Sequence, residues 1–229
     1  MAKVAFGAVV SAAATGILVA CAVAIVALLA HRELSPRALA AGPAPLQPQP
    51  DWQSYATGGH RLGPSGARAV IVEFADFQCP ACRALEPRLR AERTEHPQDV
   101  AVIYRHYPLV KHIFARPAAI ASECAARQGR FEAMHDTLFV LGDSIGVRAW
   151  HAVARAAAVP DLRAFDVCMS DGSANDVLLR DSVAARRLRV IGTPTLLIDG
   201  VRVNGGLPQA TLDSLVTKAL QHGTRRSED

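Results

Sequence analysis

From Val4 to Ala30 the chain carries no charge, and Ser11 and Thr15 are the polar side chains of that run. A membrane-crossing helix needs about 20 apolar residues, whereas a secretory signal core needs about 7–15. The run is long enough for an uncleaved transmembrane helix, so residues 1–31 are expected to be an anchor or a signal segment. A buried helix of a globular domain would instead show polar positions at helical spacing. Residues 32–66 then lose any period. The stretches "GPAPLQPQP" and "TGGHRLGPSG" are rich in proline and glycine and predict an extended linker that spaces a domain from a membrane surface.

A second pattern opens near Ala67 and predicts one domain over residues 67–222. "AVIVEF", from Ala69 to Phe74, is a β-branched apolar run suited to a buried strand. "CRALEPRLRAERTEH" follows with helical spacing interrupted at Pro87. "VAVIYRHY" alternates and predicts a second strand. From about residue 115 to 189 the chain is alanine-rich and helical, with breaks at "QGR", "LGDSIG", "AVPD" and "SDGS". "PTLLIDGVRVNG" predicts a hairpin turning at Asp199-Gly200. "PQATLDSLVTKAL" is a closing amphipathic helix, and residues 223–229 are expected to be a disordered tail. Parallel pairing of the first two strands requires the helix between them as a crossover. The result is an α/β fold: a mixed sheet with helices on both faces and an inserted helical subdomain.

Two processing signals bear on the anchor. "LVAC" places Cys21 where bacterial lipoproteins carry a lipidated cysteine, but the apolar run continues through "AVAIVALLA". "ALA", Ala38 to Ala40, has the small residues of a cleavage site. Lys3 precedes the run while Arg32 and Arg37 follow it, so positive charge does not fix the orientation. If the C-terminal side points outward, all these readings place the domain outside the cytoplasm.

Composition narrows the chemistry. The 229 residues carry a formal charge of +4 with scattered arginines, which excludes a basic nucleic-acid stripe. No glycine-rich phosphate loop calls for a nucleotide or flavin. Five cysteines are too few for a disulfide-built miniprotein.

Two of them, Cys79 and Cys82, stand three apart in "FADFQCPACRALEP", at the junction of strand and helix. A structural zinc site needs four ligands, usually two such pairs. Cys124 and Cys168 are distant, and His106 and His112 complete no zinc spacing, so no metal is expected; His106, His112 and His135 read as structural. A staple is also a weak reading, because so short a loop removes little chain entropy. Redox chemistry fits better. Unpaired N–H groups and the positive dipole end at a helix start favour an anion, which lowers a thiol pKa and supplies the thiolate of disulfide exchange. Pro80 suits the first helical turn because the N–H it lacks has no partner there.

"VEFADFQCPAC" resembles the active-site stretch of the thioredoxin superfamily, in its DsbA-like branch of secreted thiol–disulfide oxidoreductases. Glu73, six before Cys79, matches a buried acid; Pro87, eight after it, matches a helix kink; and "GTPT" (Gly192 to Thr195) matches the cis-proline loop, with Pro194 as the proline. "RHYPL" and "FEAMHDTLF" also resemble stretches of that branch. The resemblance covers about residues 60–222 and implies a thioredoxin-like fold. It further implies Cys79 as nucleophile, Cys82 as resolving thiol and Glu73 as their proton carrier. Thr193 and Pro194 would contact the client peptide, and Pro80 and Ala81 would tune the pair. The Ala81 side chain cannot hydrogen-bond a thiolate where the branch often has histidine, so a milder oxidant is expected. Some relatives carry a disulfide in the insert, which implies Cys124–Cys168.

The resulting expectation is a membrane-tethered oxidoreductase of the inner membrane, its domain facing the periplasm or cell exterior. It would exchange the Cys79–Cys82 disulfide with exported proteins as an oxidase, act as a monomer, need no cofactor, and be re-oxidised by a membrane redox partner. A reductase or isomerase with the same site, or a non-catalytic client-binding module, are the alternatives.

Overall fold

A computed structural model describes residues 19–28 and 46–226. Residues 19–28 are helical and belong to a unit (Met1–Pro43) separate from the domain that begins at Ala44. Among the described residues no helix is long and apolar enough to cross a membrane. Most of the apolar run from Val4 to Ala30, with the expected anchor, lies outside the described residues.

The domain is built on one six-stranded sheet. In chain order its strands are β1 (Gln47–Pro48), β2 (His60–Leu62), β3 (Ala69–Ala75), β4 (Val100–His106), β5 (Thr195–Ile198) and β6 (Val201–Asn204), and the spatial order is β1-β6-β5-β3-β4-β2. β3 pairs parallel with β4 and antiparallel with β5, so Glu73 lies between Tyr104 and Leu196. The helices are α1 (Gln53–Ala56), α2 (Pro80–Glu95), α3 (Ala115–Ala126), α4 (Phe131–Leu141), α5 (Trp150–Ala156), α6 (Leu162–Asp171), α7 (Asn175–Arg187) and α8 (Gln209–Arg226).

Both faces of β3 are covered, which explains its near-continuous apolar run. Ile71 and Ala75 join one core with α2, α8 and the helical block; Val72 and Phe74 join another with Trp52, Tyr55 and Leu188. All seven residues of β4 are buried, although its sequence alternates, because β4 also lies inside the sheet. The β5–β6 hairpin turns at Asp199 and Gly200, both at positive φ (44° and 82°), as such two-residue turns demand.

Three expectations need correction. Residues 46–66 are not linker: β1 and β2 pair into the sheet, and Trp52, Tyr55 and Leu62 are buried. Prolines and glycines gave this stretch a linker's composition, but its three large side chains find partners on the sheet. Gly59 is required there, since a Cβ would stand 2.7 Å from the Tyr104 carbonyl oxygen. The closing helix runs through residue 226, so the tail is helical there; Gly223 faces Arg68, where an added Cβ would meet backbone at 2.8 Å. Finally, Pro87 does not interrupt α2. It is exposed, so the missing backbone bond falls on the solvent side.

Candidate active site

α2 begins where β3 ends, and the loop between them sets the geometry. Asp76 is buried, and its carboxylate ties that loop to the segment after β4. Oδ1 accepts the Gln78 N–H at 2.8 Å, and Oδ2 accepts the Leu109 N–H at 2.9 Å and meets His112 Nδ1 at 2.7 Å. Gln78 Oε1 in turn accepts the Phe114 N–H at 2.8 Å. These bonds hold Cys79 as the N-cap of α2 in an extended conformation (φ −76°, ψ 121°), with Pro80 first in the helix. The sequence singles out neither Asp76 nor Gln78, and His112, read from it as structural, does hold the loop in place through Asp76. The available signal was two polar residues inside "FADFQC", on an otherwise apolar path.

Cys79 and Cys82 are both free thiols. The Cys79 thiol is drawn down from its ordinary range to about 5. The largest cause is the hydrogen bond from the Cys82 thiol; a Thr193 hydroxyl contact and the backbone N–H groups of Cys82 and Ala81 add to it, against the opposing effect of burial. The backbone N–H groups are the helix-tip part of this stabilisation, and the Cys82 thiol contributes more than they do. Cys82, wholly buried, is pushed far the other way by burial, by its bond to Cys79 and by the charge of Glu73. The pair is therefore split into a ready thiolate and a reluctant one. Pro80 and Ala81 are exposed beside them.

The loop before β5 closes the site from the other side. The Thr193–Pro194 peptide is cis, and the Thr193 carbonyl accepts from Cys79 Sγ at 3.4 Å. That carbonyl favours the thiol, whereas the Thr193 hydroxyl, which is buried and has no hydrogen-bond partner among the described residues, is the group that turns to the thiolate once the proton leaves. Glu73 is 1% exposed, and neither carboxylate oxygen finds a hydrogen-bond partner among the described residues. Burial first, then the charges of Glu86 and Cys79, raise its pKa well above the carboxylate range. Tyr104, its neighbour on β4, likewise has a buried hydroxyl without a partner there.

Folding thus brings Glu73, Cys79, Pro80, Ala81, Cys82, Thr193 and Pro194 together. Cys124 and Cys168 form a separate pair, a disulfide joining α3 to α6.

The thioredoxin family profile matches residues 56–218. The chain belongs to that family, among its DsbA-like thiol–disulfide oxidoreductases. Among solved structures, Pseudomonas aeruginosa DsbA2 is 29% identical with a TM-score of 0.58, over 68% of this chain and 91% of that one. Bacillus subtilis BdbD, at 18% identity, shares the fold with a TM-score of 0.65, over 79% of this chain and 100% of that one. A curated relative from Salinispora tropica, named Na(+)/H(+) antiporter NhaA 3, is 34% identical over 170 residues, which is 74% of this chain. This chain spans about a quarter of that relative's length (26%), so the antiporter name describes a much longer protein.

Proposed function

We propose that this protein is a membrane-tethered, extracytoplasmic oxidase that donates the Cys79–Cys82 disulfide to exported proteins. The observation carrying the reading is the split pair: a sulfur ionised near 5 at a helix tip beside one held protonated. In the oxidised enzyme a client thiolate attacks Cys79 Sγ, the S–S bond breaks, and Cys82 leaves and takes a proton. A second client thiolate then attacks the client sulfur of the mixed disulfide. Cys79 departs as a stable thiolate, the client gains a disulfide, and the pair holds the two electrons. A membrane redox partner would remove those electrons. The apolar run of residues 4–30 supports the tether, and the buried Cys124–Cys168 disulfide supports an oxidising compartment on the outer side of the inner membrane. Val110, Ile113 and Ile191, exposed on the segments that bear His112 and Thr193, would meet apolar stretches of an unfolded client. Thr193 would offer its backbone to an extended peptide as an added strand.

The direction of electron flow is tested by the reduction potential against glutathione. A thiolate near 5 stands between those of the strongest oxidants and of reducing thioredoxins, about 3.5 and about 7. For a disulfide donor milder than the strongest oxidants the expected potential therefore lies between about −200 and −120 mV. A value below that window would assign the site to a reductase, and an unreactive pair would leave only client binding.

Glu73 is the proton carrier in this reading. Closing the disulfide requires Cys82 to lose a proton, and Glu73 is the acid whose charge acts on it. Glu73→Gln is expected to slow closure by oxidised glutathione about tenfold or more at pH 7 and to flatten its rise with pH. The sign of the stability change is also fixed. A carboxyl raised by burial favours the fold below its unfolded pKa, and loses that contribution as pH climbs through the folded one. Glu73→Gln should therefore match the wild type in melting temperature at pH 4 and exceed it at pH 8. Equal closure rates with equal melting at both pH values would remove Glu73 from the mechanism.

A further inference from the structure

His60, His106 and Glu123 lie far apart in sequence and show no metal-ligand spacing. The fold brings them to one point from β2, β4 and α3. His60 Nε2 lies 2.5 Å and His106 Nε2 2.7 Å from the same carboxylate oxygen, Glu123 Oε1. Two imidazoles could have shared the two oxygens of a carboxylate; instead both converge on one. Their directions are held by packing. The His60 ring stacks on Phe131 at 3.6 Å between centroids and 11° between planes, and the His106 ring stands edge-on to Tyr104 at 5.2 Å. His106 and Glu123 are buried, while His60 is partly open. A cavity of about 630 Å³ reaches His60 and Glu123 and is otherwise lined by residues that include Arg105, Arg127 and Arg180.

We propose that His60, His106 and Glu123 form a site for a divalent transition metal, with zinc as the best fit, and that the cavity serves its fourth position. Imidazole nitrogen and carboxylate oxygen bind zinc at about 2.0–2.2 Å, and a tetrahedral set holds its donors about 3.4 Å apart. The two contacts must open by less than about 1 Å to reach that spacing. Both rings would place their proton on Nδ1, freeing Nε2 as the ligand. Two histidines and one carboxylate leave the ion one open coordination position, as in catalytic rather than structural zinc sites. Arg105 is already paired with Asp181, so it is Arg127 and Arg180 on the cavity wall that favour an anion there, such as chloride or a carboxylate. A second grouping, Glu86, His135 and Asp136, lacks this character. Arg90 and Arg93 already bridge Glu86, and Arg90 also holds Asp136, so cationic groups occupy its acids. The ion would tie β2, β4 and α3 together, and His106 is the last residue of β4, immediately before the strand-to-loop bond of Tyr107 N–H to the Ala75 carbonyl.

The test uses full-length protein in detergent, stripped by chelator and fully oxidised so that Cys79 and Cys82 offer no thiolate. Zinc is titrated calorimetrically, and cobalt is added separately as a spectroscopic probe. One zinc per chain is expected, with a raised melting temperature and a four-coordinate cobalt spectrum lacking the thiolate charge-transfer band. His60→Ala and Glu123→Gln should each weaken zinc binding at least about tenfold and leave disulfide exchange unchanged. His60 is partly exposed, so its variant keeps the fold testable if Glu123→Gln does not. Failure of oxidised wild-type protein to take up stoichiometric zinc would overturn the site. So would binding that survives His60→Ala undiminished. Neither result touches the redox reading, which rests on other residues.

Discussion

Replacing Cys79 by serine is expected to lower disulfide donation to a reduced client by about 10³-fold or more, because the nucleophilic and leaving sulfur is lost. A serine hydroxyl stays protonated where the thiol ionises near 5. The same ionisation fixes the pH behaviour of the reduced wild type. Alkylation of Cys79 by iodoacetamide should rise with pH up to about 5 and then level off, where an ordinary thiol would keep rising to about 8.5. Between those values the unfolded chain binds the proton that the fold releases, so Cys79 makes the reduced fold gain stability as pH rises. Cys82→Ser is the companion measurement. It has no disulfide to donate, but offered a client disulfide its Cys79 thiolate should attack one client sulfur, release the other as a thiolate and stay trapped in the mixed disulfide, since no Cys82 sulfur remains to displace it. Full client oxidation by the Cys79→Ser protein would refute exchange chemistry. A Cys79 alkylation midpoint above pH 8 would refute the helix-tip thiolate while leaving the fold intact.

The second large effect concerns stability. Cys124 and Cys168 are 44 residues apart in sequence and join α3 to α6 inside the helical block. Closing a loop of that length removes unfolded-chain entropy equivalent to about 4 kcal/mol in the loop-closure treatment. In a domain of this size each kcal/mol moves the melting temperature by about 2–4 °C. The double variant Cys124→Ala/Cys168→Ala should therefore melt about 10 °C lower, while the potential of the Cys79–Cys82 couple stays in place. Thermal denaturation of both proteins, each oxidised, checks this. Non-reducing mass spectrometry that finds both thiols free in exported protein would overturn the disulfide. A melting shift below about 2 °C would show that this staple contributes little to the fold.

Much of the site is legible in the chain because its parts are local. Glu73, Cys79, Pro80, Ala81 and Cys82 occupy ten consecutive residues at a strand–helix junction, and the period of apolar positions changes there. A helix start, a proline in the first turn and an acid within an apolar strand can each be read without a fold. Thr193 and Pro194 are more than a hundred residues away. They enter through the resemblance of "GTPT", not through any pattern of spacing.

What depends on distant contacts is another matter. The loop that carries Cys79 is held by Asp76 against His112 and Leu109, a pairing across 33 to 36 residues with no periodic trace. The stretch around Trp52 and Tyr55 has a linker's composition, and its burial is decided by a sheet face whose strands come later. The sequence by itself determined the dithiol, its place at a helix tip, the order of elements and the apolar run near the N-terminus, because each is written within a few turns of chain. Only the tertiary structure decided which groups surround the sulfurs, which stretch of apparent linker packs, and that two histidines and a glutamate share one point. Burial and through-space charge act over distances that the chain covers only after it has folded.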